Sequence, residues 1–409
     1  MGLLFKRDFH DEFGAWALGF IPYGGIDFGE IVGVAQAVGD GDDSAFYEAW
    51  VAAGDRFKTE ATDTLTKGRQ AVARDLFLKA SECYATAKHP IFGFPVDPRL
   101  VEAFRKQTAA FDQAMALSKT PVTPIRIPFE KGSLPAYFIP AVDYPDSVRP
   151  LLILTNGYDG TITDMYFASA VAAIHRGYHC LLFDGPGQGE LLIEQGIPLR
   201  PDWETVVSAV IDVAVTLPLV DVARIAISGW SLGGYLAPRA ASGDERIAAC
   251  IADPGVPSLA DGFRQMVINL MGASPEAVAN LGTMDQHLLD QVWDFITNNR
   301  KLSWSIVQRG FWVNGTKDLR AYLASLELYT MTGRESLIRC PTLLTMAQHD
   351  SLSSAANVFY DSLTCPKTLL RFSADRGAGD HCEMKNRTLL NRCVLDWLDD
   401  VFGTTAITH

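Results

Sequence analysis

The stretch Ile225–Ala237 constrains this chain more than any other. Ile225-Ala226-Ile227-Ser228 reads as a short apolar strand, Gly229-Trp230-Ser231-Leu232-Gly233 as a tight turn, and the small residues that follow as the start of a helix. A G-x-S-x-G turn between a strand and a helix lifts its serine hydroxyl above the end of the strand. Glycines two before and two after the serine keep side chains out of a place where backbones nearly touch. The Leu232 amide and the start of the next helix then face the point where negative charge gathers when Ser231 attacks a carbonyl. Five-residue patterns also arise by chance, so the rest of the chain must supply the sheet and the partners that this reading of Ser231 demands.

The organisation of the chain supplies the sheet. Up to about residue 120 it reads as helical. Phe46, Trp50, Ala53 and Phe57 recur at helical spacing, as do Ala73, Phe77, Ala80 and Tyr84. Asp42-Asp43-Ser44 is a cap signal, and Lys67-Gly68 marks the turn of a helix hairpin. A loop from Pro90 to Pro98 leads to a third helix from about Leu100 to Ser118. The period then changes to alternation, with a β-hairpin of Ile125–Phe129 and Leu134–Ile139 around Lys131-Gly132-Ser133. Apolar runs follow at Leu151–Thr155, His179–Phe183, Arg224–Ser228, Ala248–Ala252, Thr342–Met346 and Thr368–Phe372, as expected of parallel strands buried on both faces. Helical segments separate most of them. A leading hairpin, then alternating strands and helices, with the serine after the fifth strand, is the order of an α/β-hydrolase fold. The expected fold is therefore α/β: a mostly parallel, doubly wound sheet with an N-terminal helical lid and a helical cap. The expected division is 1–120 lid, 121–253 core, 254–338 cap and 339–409 core. The cap is inferred because residues 254–338 are too long for a plain connection. Within it, Gly310–Gly315 reads as a break and a hinge.

A serine nucleophile needs a base, and the base an orienting acid. In this fold they follow in the order Ser, Asp or Glu, His. After the elbow the chain offers His287, His349, His381 and His409. His381 follows the last strand in the glycine-rich Gly377–Cys382 loop and is the expected base. Asp350, just past Thr342–Met346, is the expected acid, with Asp253 as the alternative. The oxyanion hole is expected from the amides of Leu232 and Tyr158, the latter in Asn156-Gly157-Tyr158-Asp159-Gly160-Thr161. Asp159 and Trp230 are candidate substrate contacts. A carboxylate at 159 opposes a forming oxyanion unless it is protonated or turned away, so bonding the amides of its own turn is an equal reading of Asp159. Asp184–Gly189 lacks the G-x-G-x-x-G spacing and reads as a structural loop beside the site.

Composition narrows the partners. The chain has 409 residues, 48% of them hydrophobic, and a net charge of −13 with no basic cluster, which disfavours nucleic acid and anionic membranes. The apolar run Phe13–Ala37 contains Asp27 and Glu30 and is not a membrane span. Seven cysteines without C-x-x-C spacing read as reduced thiols of a cytoplasmic protein. No H-e-x-x-H or finger spacing is present, so neither metal nor cofactor is expected.

Six stretches together carry a resemblance. They are Ile21–Glu30, the hairpin around Trp50 and Arg74, Gly157–Thr161, Asp184–Gly189, the elbow, and Gly377–Cys382. As a set they resemble the α/β-hydrolase family of 2,6-dihydroxypseudooxynicotine hydrolase and the fungal pigment-pathway hydrolases that shorten polyketides. The resemblance covers nearly the whole chain. It implies a helical lid, a homodimer, a Ser231–Asp350–His381 triad, and cleavage of a carbon–carbon bond next to a ketone in a small molecule. The nicotine-pathway enzymes carry a glutamate where this chain has Asp159. The shorter acid, as in the polyketide branch, turns the expectation toward an aryl-ketone, β-diketone or polyketide substrate of secondary metabolism. The same triad also serves carboxylesterases, lactonases, thioesterases and biosynthetic acyltransferases or cyclases, which remain the alternatives.

Overall fold

A computed structural model describes residues 2–404; His409 lies outside the described residues. One eight-stranded sheet organises the chain in the order β1-β2-β4-β3-β5-β6-β7-β8. The strands are β1 (Thr123–Phe129), β2 (Gly132–Ile139), β3 (Arg149–Thr155), β4 (His179–Phe183), β5 (Val220–Trp230), β6 (Ala249–Asp253), β7 (Thr342–Ala347) and β8 (Lys367–Phe372). β2 runs antiparallel to both of its neighbours, β1 and β4; the pairings from β4 to β8 are parallel. This is the α/β-hydrolase arrangement expected from the sequence. β4 and β6 are buried at every residue, because helices cover both faces. β5 begins at Val220, earlier than its apolar run, because the charged Asp221 and Arg224 interrupt that signal.

The N-terminal helices Asp43–Thr66 and Gln70–Ala87 form the expected hairpin. The Asp42 carboxylate accepts from the Ser44 and Ala45 amides, and Gly68 turns the chain at φ +73°. Phe46, Trp50, Ala53 and Phe57 of the first helix and Ala73, Phe77, Ala80 and Tyr84 of the second are buried. The helix Pro98–Ala116 follows, capped by Asp97. Between the second and third helices, the segment from His89 to Phe94 runs beneath the cap.

The insertion between β6 and β7 is helical, with Leu259–Met271, Gln286–Thr297 and Leu319–Leu326 around their own apolar cluster. The break expected over Gly310–Gly315 falls at the end of that stretch. Ser303–Gly310 is a π-helix that continues into Phe311–Val313, and the chain turns only at Asn314-Gly315. A Cβ at Gly310 would stand 2.9 Å from the Tyr322 ring, so that glycine serves close packing rather than bending. The π-helix docks on the N-terminal region. The Trp304 indole N–H donates to the His89 carbonyl at 3.1 Å, and the Gln308 amide donates to the Pro90 and Phe92 carbonyls. Arg300 pairs with Asp43 and Lys301 with Glu12. The two helical regions thus meet as one roof over the carboxyl ends of the strands. No helix among the described residues is long and apolar enough to cross a membrane.

Candidate active site

The turn after β5 holds Ser231 at φ +60°, a left-handed conformation that a serine adopts only when its surroundings enforce it. The Ser231 amide donates to the Asp253 carbonyl at 2.6 Å. A Cβ at Gly229 would lie 1.8 Å from the Gly233 carbonyl oxygen, and one at Gly233 would lie 2.8 Å from the Thr155 carbonyl oxygen. Both glycines of the motif are therefore dictated by backbone against backbone.

Above this turn, His381 Nε2 lies 2.9 Å from Ser231 Oγ, and His381 Nδ1 lies 2.8 Å from Asp350 Oδ2. An Nδ1–H donated to the carboxylate leaves Nε2 as acceptor for the serine hydroxyl. Asp350 is buried and fixed by the Leu352 amide, which donates to its other oxygen at 2.9 Å. Withdrawal from water lowers the His381 pKa, but the hydrogen bond and charge of Asp350 outweigh it, so the ring sits above the usual histidine value. A base must be neutral to accept the serine proton. Activity is thus expected to fall as pH drops through that raised pKa. In Asp350→Asn the residual activity should show this acid limb moved to lower pH; kcat/KM against pH checks it, and an unmoved limb refutes the coupling.

Asp253 does not reach the His381 ring. Its carboxylate accepts from Thr345 Oγ1 at 2.8 Å and from Arg387 Nη1 at 3.0 Å. His287 lies in the cap helix Gln286–Thr297, and the His349 amide donates to the Gly379 carbonyl, bracing the loop that carries His381.

The loop after β3 lies directly against the elbow: a Cβ at Gly157 would stand 2.9 Å from Ser231 Cβ and 3.3 Å from the Leu232 nitrogen. No backbone carbonyl among the described residues accepts from the Tyr158 or Leu232 amide. Gln188 supports the loop from beneath, its amide donating to the Asn156 and Gly157 carbonyls. Asp184, of the same Asp184–Gly189 loop, accepts from Asn156 Nδ2 at 3.3 Å, and burial pushes its pKa up to about 8. That loop is structural support, as its spacing indicated.

Asp159 differs from the turn-amide reading. Its carboxylate accepts from Arg309 Nη1 of the cap at 3.2 Å. Burial raises its pKa, but the charge and hydrogen bond of Arg309 more than reverse this, and the carboxyl is held below its ordinary range. The negative charge on the loop after β3 is therefore balanced by Arg309, not removed by protonation. The Arg309 guanidinium lies 5.0 Å from the Tyr158 ring centre and 4.7 Å from that of Trp304, a cation held between aromatic faces.

A small cavity of about 10 Å³ stands over the serine, lined by Trp16, His89, Asp159, Trp230 and Ser231 among others. The His381 side chain beside it is 29% exposed, so the site reaches solvent. A larger cavity of about 400 Å³ between the helix Pro98–Ala116 and the β1–β2 hairpin contains no member of the Ser231–His381–Asp350 chain, so the chemistry belongs to the smaller one. Trp16, His89 and Arg309 are the contributors that sequence reading missed. The base had to follow the elbow in the chain, so earlier histidines were not weighed. Among the described residues no cluster of histidine, cysteine or acid is arranged to hold a metal ion.

Comparison with known proteins agrees with this architecture. Residues 152–359 match the alpha/beta hydrolase family model. "Hydrolase acrC" of Aspergillus aculeatus is 33% identical over 375 residues, 86% of this chain and 83% of that protein. "20-hydroxy-prefusarin hydrolase FUS2" of Gibberella moniliformis is 30% identical, covering 98% of this chain and 99% of that protein. Among solved structures, 2,6-dihydroxy-pseudo-oxynicotine hydrolase superposes with a TM-score of 0.72 at 21% identity, covering 94% of this chain and 95% of that one.

Proposed function

The chain belongs to the alpha/beta hydrolase family, and from that premise we propose that this hydrolase uses Ser231, His381 and Asp350 to cleave the carbon–carbon bond beside a ketone in an aryl-ketone, β-diketone or polyketide-type small molecule. The observation that carries the reading is the continuous hydrogen-bonded chain from Ser231 Oγ through His381 to Asp350, beside a small cavity lined by Trp16 and Trp230. One full-length relative is named for 20-hydroxy-prefusarin, which favours a secondary metabolite over a simple ester.

In the proposed reaction Ser231 Oγ adds to the ketone carbon as His381 Nε2 takes its proton. The amides of Leu232 and Tyr158 hold the oxyanion. Collapse breaks the bond to the adjacent carbon, which leaves as an enolate and takes the proton back from His381. Water, deprotonated by His381, then hydrolyses the acyl-serine. A diketone plus water thus becomes a carboxylic acid and a ketone. The leaving carbon must delocalise charge, which is why a second carbonyl or a phenolic ring is required. The test is turnover of 1-phenyl-1,3-butanedione in ¹⁸O-water, read by mass spectrometry. The expected products are a methyl ketone and an acid carrying one ¹⁸O from water. Rapid hydrolysis of p-nitrophenyl esters with no ketone cleavage contradicts the proposal and favours an esterase or thioesterase.

A further inference from the structure

A second imidazole faces the cavity over Ser231. His89 lines that cavity with Asp159 and Trp230, and its side chain is 4% exposed. Its Nδ1 is buried without a hydrogen-bond partner. A buried polar atom left unpaired costs about 1–3 kcal/mol, so its persistence in a site wants an explanation. The ring is held in place by other means. It stacks on Phe13 at 5.2 Å with the planes 5° apart, and the Trp16 ring meets it edge-on at 6.1 Å. Its own carbonyl accepts from Trp304 of the cap. Burial, then the nearby charge of Lys88, lower its pKa to about 4, so the ring is neutral near pH 7.

A neutral imidazole is both a donor and an acceptor, and this one has a nitrogen left for a ligand. It cannot be the base of the triad, because His381 occupies that place beside Ser231. Besides Ser231, the other polar walls of the cavity are Asn156, Asp164 and the Asp159 carboxylate, which is ionised and accepts only. An anionic group on the substrate would meet that carboxylate. An uncharged carbonyl or enol would not, and it pairs with a neutral imidazole.

Resting on the reading of the site as a ketone-cleaving hydrolase, we propose that His89 is the subsite for the second, uncharged oxygen of a β-dicarbonyl substrate. The first oxygen takes the Leu232 and Tyr158 amides, and the second accepts a hydrogen bond from the His89 ring. The enolate formed when the carbon–carbon bond breaks then carries its charge on an oxygen already held by a donor. His89 would in this way both select the substrate and stabilise the leaving group.

Binding tests this without turnover. In Ser231→Ala protein, affinity for 1-phenyl-1,3-butanedione and for 4-phenyl-2-butanone, which lacks one carbonyl, is read from quenching of tryptophan fluorescence; Trp16 and Trp230 line the cavity. The diketone is expected to bind more tightly. Adding His89→Phe, which keeps a ring against Phe13, should weaken diketone binding about tenfold to a hundredfold, the loss of one buried hydrogen bond. The monoketone should change less than about threefold. Adding His89→Gln instead should recover part of the diketone affinity, because an amide also donates. Equal binding of the two ligands to the Ser231→Ala parent, equal losses for both in His89→Phe, or no recovery with glutamine overturns the subsite. Absence of carbon–carbon cleavage by the unsubstituted enzyme is a separate result that removes only the reaction.

Discussion

Replacing Ser231 by alanine is expected to lower kcat by about 10⁴- to 10⁶-fold while the protein stays folded and continues to bind its substrate. The argument is local. Ser231 Oγ is 2.9 Å from His381 Nε2, whose Nδ1 is 2.8 Å from a buried carboxylate. Removing the hydroxyl removes the atom that forms the acyl bond, and His381 acting on water recovers only a small part of the rate. The fold should tolerate the change, because the left-handed φ of +60° is enforced by the Ser231 amide bonding the Asp253 carbonyl, not by the hydroxyl. Alanine at a positive φ carries about 1 kcal/mol of strain, small beside the stability of a domain. Kinetics on the diketone, with circular dichroism as the check on folding, decide it. Near-normal turnover in Ser231→Ala would remove the nucleophile from the mechanism.

Replacing Arg387 by methionine is expected to destabilise the enzyme by about 3–5 kcal/mol, the usual cost of breaking a buried ion pair. Arg387 is 2% exposed and ties together three pieces of the site. Its Nη1 donates to Asp253 at 3.0 Å, at the end of β6, and to the Cys382 carbonyl at 2.7 Å, on the loop of His381. Its Nη2 donates to the Ala168 carbonyl and to Ser169 Oγ, in the segment that follows the loop after β3. Burial and the neighbouring Asp253 push the Glu383 carboxyl well above its ordinary pKa. Arg387 is thus the counter-charge for the buried Asp253 carboxylate. Cys382 and Glu383 both have positive φ, a strain that Arg387 helps to hold. Urea unfolding followed by fluorescence measures the loss. A midpoint unchanged from the parent would show that the cluster is held by something else.

Much of the core was legible because the parallel strands are buried on both faces and carry little but apolar residues. The Leu151–Thr155 and His179–Phe183 runs lie within or coincide with β3 and β4 for that reason. The order of Ser231, Asp350 and His381 along the chain follows from strand order, so a one-dimensional reading reaches those positions. Arg309 and His89 follow no such order. They sit 78 residues after the serine and 142 before it, and only the docking of the cap on the N-terminal helices brings them to the cavity. The partner of Asp159 was missed for the same cause: Arg309 lies in the cap, out of reach of local reasoning. Of the two glycines in the Gly310–Gly315 stretch, Gly315 makes the turn and Gly310 serves packing, a difference that only the Tyr322 ring beside Gly310 reveals.

The most direct test of the account is the site of covalent capture. The enzyme is treated with a p-nitrophenyl alkylphosphonate, which traps an activated serine irreversibly, and the adduct is located by peptide mass spectrometry. The account predicts one adduct per chain, on Ser231, forming at least about a hundredfold more slowly in His381→Ala. An active enzyme that takes no label, or one labelled on another residue with activity lost in step, would contradict it.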